Sequence, residues 1–197
     1  MFRIYSALIE MVAAAVFVIP IFCIYHKCRF HSRSKTILYL IFAFYLTAVL
    51  ALVGFPNITM LKIEPAVNVI PFLYMMADLK NACLNVLLFV PFGIFLPIFW
   101  QECRDVKRIA VVGLLATVFI EAAQIFTGRA TDVDDIITNS LGTLLGYFIA
   151  RRATGNFARV SHIHEKCSDL YLICGTVVGI MFFLQPFLSE ALWGIVM

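Results

Sequence analysis

Three stretches of this chain are long enough to cross a bilayer and carry no charge: Ile37–Phe55, Ala82–Trp100 and Leu170–Leu188. Each approaches the ~20 apolar residues that carry a helix across roughly 30 Å of hydrocarbon. A soluble core does not require uncharged runs of that length. Composition agrees, because 62% hydrophobic and 14% charged residues, with a mean hydropathy of +0.96, leave too little charge to cover a soluble surface. The chain is expected to be a polytopic membrane protein.

Three further apolar segments, Ala7–Tyr25, Ile109–Thr127 and Ile136–Ala150, bring the expected count to about six spans (5–6). The fold class expected is therefore all-α, a polytopic transmembrane helix bundle. The fifth segment is short and would borrow length from Asp132–Asp135 at one end and from a snorkelling Arg151 and Arg152 at the other. The first segment reads as an uncleaved span: Glu10 interrupts it, its basic cluster follows rather than precedes it, and no clear A-x-A site appears. Within residues 56–80, VNVIPFLYMM is too apolar for a free loop and too short to span, so it is expected to lie in the interface or re-enter the membrane. Pro91 and Pro97, with Phe92 and Gly93, are expected to bend the third span. By sequence the chain divides into a first span with its basic loop (1–36), a core (37–152), and a loop with the last span (153–197).

Lys and Arg set the expected orientation. The loops after the first, third and fifth segments hold eleven of them, and the opposite side holds four: Arg3, Lys62, Lys80 and Arg129. The basic loops are expected in the cytoplasm and both termini outside. Gly128–Asp135 then faces the extracytoplasmic side, and Glu121 lies roughly 9 Å below that surface at 1.5 Å per residue.

That region holds the chain's chemistry. The stretch 121–146 reads EAAQIFTGRATDVDDIITNSLGTLLG, with the charged Glu121 inside an apolar segment and Gln124 one turn later. Asp132, Asp135, Asn139, Gly142 and Gly146 follow at steps of three and four, which places all five on one helix face. Carboxylates and an amide occupy its upper part. The glycines below would let another membrane helix approach closely.

The pattern E-x-x-Q, then R-x-x-D-x-x-D-x-x-x-N-x-x-G-x-x-x-G, resembles the VanZ-like family of bacterial membrane proteins, as do the upstream blocks VNVIPF (67–72) and NVLLFVPFGIFLP (85–97). The resemblance covers roughly residues 40 to 150. It implies an integral membrane protein linked to teicoplanin-type glycopeptide resistance, a link that carries no agreed mechanism.

Ionisable groups inside a membrane cost about 2.5–3.5 kcal/mol on insertion scales, so Glu121 is a functional candidate by default. Burial would suit it to acid–base work near neutral pH; it would equally serve to hold helices together through Gln124, Asn85 or Arg129. Asp132 is placed to cap a helix and Asp134 to face solvent, whereas capping does not explain Asn139. The tentative catalytic pair is Glu121 and Asp135, and the ligand-contacting candidates are Gln124, Arg129, Asp132 and Asn139, with Asn85 behind them. Oxygen ligands from Glu121, Asp132, Asp135 and Asn139 would suit magnesium or calcium, but no recognised metal motif is present, and no metal or cofactor is expected. His162, His164 and Cys167 have the spacing of no usual zinc site. All four histidines fall on the cytoplasmic side of this topology, away from Ser140 and Thr138, which excludes a Ser-His-Asp hydrolase. No nucleic-acid patch is present.

The expected function is action at the extracytoplasmic face on a cell-envelope or lipoglycopeptide ligand, with lowered susceptibility to teicoplanin-like antibiotics as the family resemblance implies. A cationic or hydrogen-bonding ligand group would suit the pocket, and membrane lipids or a lipid-linked cell-wall component are the expected partners. Two alternatives stay open: a membrane-embedded acid–base enzyme acting on a lipid-linked envelope substrate, and a structural partner subunit.

Overall fold

A computed structural model describes residues 2–62, 66–68, 78–128, 130–160 and 165–196. The described residues are mostly helical, with two three-residue strands. The chain packs as two units, 1–62 with 170–197 and 63–169. They follow packing, and so cut the chain elsewhere than the sequence-based division.

In the first unit, α1 (Phe2–Tyr25) runs into a π-helical turn at His26–Phe30, and His31 reverses the chain with φ 53°. Then α2 (Arg33–Val53) ends on Gly54 at φ 70°, where a side chain would be strained. Phe55 N–H closes that end on the Leu50 carbonyl at 2.9 Å, the six-to-one bond of a Schellman stop. Phe22, Phe30 and Tyr39 form a buried aromatic knot, with Phe30 edge-on to Tyr39 at 4.9 Å between ring centroids. Lys35 lies 5.3 Å from the centroid of Tyr39 and 5.7 Å from that of Phe30. The last helical stretch has three parts: α6 (Cys167–Gly179), a π-helical turn at Ile180–Leu184, and α7 (Gln185–Val196). Tyr25 and Thr176 share a hydroxyl–hydroxyl bond of 2.8 Å, and Ile58 N–H donates to the Phe182 carbonyl of the π turn at 3.1 Å.

The second unit is built on three helices: α3 (Leu79–Phe99), α4 (Val106–Gln124) and α5 (Val133–Ala153). An aspartate caps each N-terminus: Asp78 accepts from Asn81 N–H at 3.1 Å, Asp105 from Arg108 N–H at 3.2 Å and Asp132 from Asp134 N–H at 2.9 Å. The α3–α4 connector is pinned from several sides. Trp100 is fully buried with its indole N–H on the Lys166 carbonyl, and Arg104 donates to the carbonyls of Pro97 and Val160. Tyr147 on α5 donates its hydroxyl to the Arg104 carbonyl at 2.8 Å.

Among the described residues, four helical stretches are long and apolar enough to cross a membrane: Tyr5–Phe30, Arg33–Val53, Leu79–Phe99 and Cys167–Gly194. The two other segments counted as spans from sequence, now α4 and α5, have 19 and 21 residues, and they carry the polar groups of the site. Each nevertheless exposes large apolar side chains, among them Val111, Leu115 and Phe119 on α4 and Leu141, Leu145 and Phe148 on α5. Such continuous apolar exposure fits lipid rather than water. The protein is an all-α membrane protein. The interfacial or re-entrant segment expected within 56–80 lies mostly at 63–65 and 69–77, outside the described residues; 66–68 between them is β1.

Candidate functional site

The site is built in layers up the three-helix core of the second unit. Its floor is Thr143 on α5, wedged between two glycines. A Cβ at Gly93 on α3 would strike the Thr143 carbonyl, and one at Gly113 on α4 would come within 2.8 Å of Thr143 Cγ2. Gly142 and Gly146 likewise leave room for the carbonyls of Val86 and Val90. Helices α3 and α5 therefore meet backbone to backbone, as small-residue packing permits.

One turn up, Asn139 on α5 donates from Nδ2 to Thr117 Oγ1 on α4 at 3.0 Å. Both residues are buried, Asn139 at 3% exposure. Asn139 Oδ1 has no hydrogen-bond partner. Ser140 Oγ nearby is also buried without one.

Higher again come the carboxylates. Asn85 on α3 donates Nδ2 to Asp135 Oδ1 at 2.6 Å, and Asp135 is half-buried. Glu121, 2% exposed, accepts the Asp132 N–H on Oε2 at 3.1 Å, while its carbonyl takes the Thr131 hydroxyl at 3.0 Å. Glu121 thus ties the end of α4 to the start of α5. Gln124, 4% exposed, lies one turn further along α4.

The top layer is a short parallel pair of strands, β1 (Ala66–Asn68) and β2 (Ala130–Asp132), with Asn68 opposite Asp132. Asn68 Nδ2 donates to Asp132 Oδ1 at 3.0 Å, the same oxygen that caps α5.

The structure thus gathers Glu121, Asp132, Asp135, Asn139 and Asn85 in one cluster. Gly142 and Gly146 lie beneath it against α3. Arg129 lies outside the described residues, as do His162 and His164. Asp134 departs from expectation: it is buried at 3% exposure, not facing solvent, in the first turn of α5 where the positive end of the helix tolerates a buried carboxylate. Pro91 and Pro97 stand inside an unbroken α3. No group of three or more His, Cys, Asp or Glu suited to a metal ion occurs among the described residues. Sequence reasoning missed Thr117, Thr131 and Asn68, three neutral residues that complete the network. Only Asn68 carried a local signal, as a polar residue inside the apolar VNVIPF.

A family model described as VanZ/LLP1 matches residues 17–155, well over half of the chain and every residue of the cluster. The chain belongs to the VanZ/LLP1 family. It is 32% identical over 97 residues to a protein named Protein VanZ from Enterococcus faecium. That match covers 49% of this chain and 55% of the relative, so the similarity spans about half of each. No solved structure matches. This VanZ/LLP1 protein thus places its family pattern around a partly buried cluster of carboxylates and amides at one end of a helix trio.

Proposed function

We propose that this VanZ/LLP1 protein acts at the extracytoplasmic face on a cell-envelope or lipoglycopeptide ligand, lowering susceptibility to teicoplanin-like antibiotics. One observation carries the reading: Asn139 is buried at the base of the cluster with its carbonyl oxygen unpartnered. A buried polar atom without a partner costs about 1–3 kcal/mol, a cost that packing alone does not recover. Binding offsets it. The loop-by-loop bias of Lys and Arg supports placing the cluster outside.

Asp135, Asn139 and Asn85 are the ligand-facing residues in this proposal, with Gln124, Arg129 and Asp132 as further contacts. Glu121 holds the α5 cap in place. The test is teicoplanin and vancomycin susceptibility of a sensitive Gram-positive host expressing the chain or its Asp135→Ala variant, with membrane levels compared by blot. Teicoplanin protection from the native chain alone is the expected result. No protection at an equal level in the membrane sinks the proposal.

An acid–base reaction on a lipid-linked substrate is the second reading, favoured by two carboxylates in one cluster, Glu121 buried and Asp135 half-buried. Glu121→Gln separates the two. A glutamine oxygen still accepts the Asp132 N–H, so a binding site keeps its protection, whereas an acid–base pair loses it.

A further inference from the structure

We propose that the group bound at this cluster is a primary ammonium, an inference that rests on the binding reading above. Four side-chain donors of the cluster are engaged within it. Asn85 Nδ2 serves Asp135, Asn68 Nδ2 serves Asp132, Asn139 Nδ2 serves Thr117, and the Thr131 hydroxyl serves the Glu121 carbonyl. The Thr138 hydroxyl turns back onto the carbonyls of Asp134 and Asp135. Two buried atoms are left over: Ser140 Oγ, a hydroxyl that can donate or accept, and Asn139 Oδ1, which only accepts, so the complement of Oδ1 is a donor. Turning the amide over would put two N–H donors in the position without a partner, which is the worse arrangement.

Asn139 lies four residues past Asp135 on α5, ~6 Å along the axis. A ligand atom that enters from the carboxylate end therefore passes Asp135 before it meets Oδ1. A hydroxyl has one hydrogen and cannot serve both levels. A metal ion requires several converging ligands, and the described residues hold no group of three or more His, Cys, Asp or Glu suited to one. An –NH3⁺ group has three donors on one small atom, enough for Asn139 Oδ1 and the Asp135 carboxylate together, and its charge suits their field. A quaternary ammonium has the charge without the donors. Lys80, in the first turn of α3, is exposed, and Arg129 is outside the described residues.

The amine can arrive on a lipid headgroup or on a soluble molecule, and the assay separates these. The full chain in phosphatidylcholine nanodiscs is titrated with dioctanoyl phosphatidylethanolamine, dioctanoyl phosphatidylcholine or free ethanolamine, followed by native mass and thermal midpoint. Saturable binding of the ethanolamine lipid, with none of the choline lipid, is expected. Binding of the ethanolamine lipid alone assigns a lipid-borne amine; equal binding of free ethanolamine assigns a soluble one. Asn139→Leu and the near-isosteric Asp135→Asn should each weaken binding about tenfold or more, the loss of one charge-assisted hydrogen bond. Should Asn139→Leu fail to fold, Asp135→Asn carries the test. Equal binding of both lipids, no binding of any amine, or unchanged affinity in Asp135→Asn overturns the inference. Teicoplanin protection without amine binding overturns only this inference, and amine binding without protection overturns only the resistance reading.

Discussion

Glu121 was singled out by the cost of a charge among apolar neighbours, and its surroundings show how that cost is met. Its carboxylate holds the backbone N–H of Asp132, the residue that itself caps α5. Glu121→Gln keeps an acceptor there and should lower stability by about 1 kcal/mol or less, while Glu121→Ala leaves a buried N–H unserved and should cost about 1–3 kcal/mol. Denaturation midpoints of the two variants in one detergent decide it, and equal losses would deny Glu121 this anchoring role. Charges of this kind were legible in the sequence because nothing else puts them in an apolar run. Thr117 was not. Thr47, Thr138, Thr143, Thr154 and Thr176 each turn a hydroxyl back onto the carbonyl four residues earlier, the ordinary habit of a helical threonine. Thr117 instead accepts from Asn139 across the helices, and one threonine among so many gives no sign of it.

Helix pairing follows from where side chains are missing. The glycine steps of α5 suggested a close neighbour, but the spacing cannot name it, because the receiving groups are backbone carbonyls and those are the same in every sequence. Gly93 is the instructive case: beside Pro91 it suggests a bend, whereas its place in the structure is against Thr143. The β1–β2 pairing was hidden for the same reason, since three residues joined through backbone leave no periodicity to read. Gly142→Ala would drive a methyl into the Val86 carbonyl and to 3.0 Å from Phe89 Cβ. It should cost about 1–3 kcal/mol or more, as overpacking does. Gly175, also in a helix, has nothing within 4 Å of such a methyl. Gly175→Ala should be neutral or stabilising by up to ~1 kcal/mol. A Gly142→Ala protein that melts with Gly175→Ala would mean that α3 and α5 can separate at no cost.

For the molecule as a whole, membrane character was legible from run length, because hydrocarbon thickness sets it. Orientation rests on charge counting, and three cysteine positions make it measurable. Cys28 is exposed in the turn after α1, within the first basic loop. Lys80 is exposed in the first turn of α3, at the opposite end of the expected topology. Cys103 is buried in the α3–α4 connector, and its thiol is pushed up to about 12, first by burial and then by its neighbours Cys167 and Glu102. Maleimides react with thiolate, and burial, the largest cause of the shift, keeps Cys103 protonated at pH 8 with Cys167 replaced as well. In single-cysteine proteins, a membrane-impermeant maleimide should label Lys80→Cys on intact cells and Cys28 only in inside-out vesicles. Cys103 should stay unlabelled from either side at pH 8. Its reaction should quicken as pH rises toward 12, or at once in denaturant, where its pKa returns to the ordinary thiol range. Labelling of Cys28 on intact cells would turn the molecule over and place the carboxylate cluster in the cytoplasm, leaving the helix trio intact but removing its access to any envelope ligand.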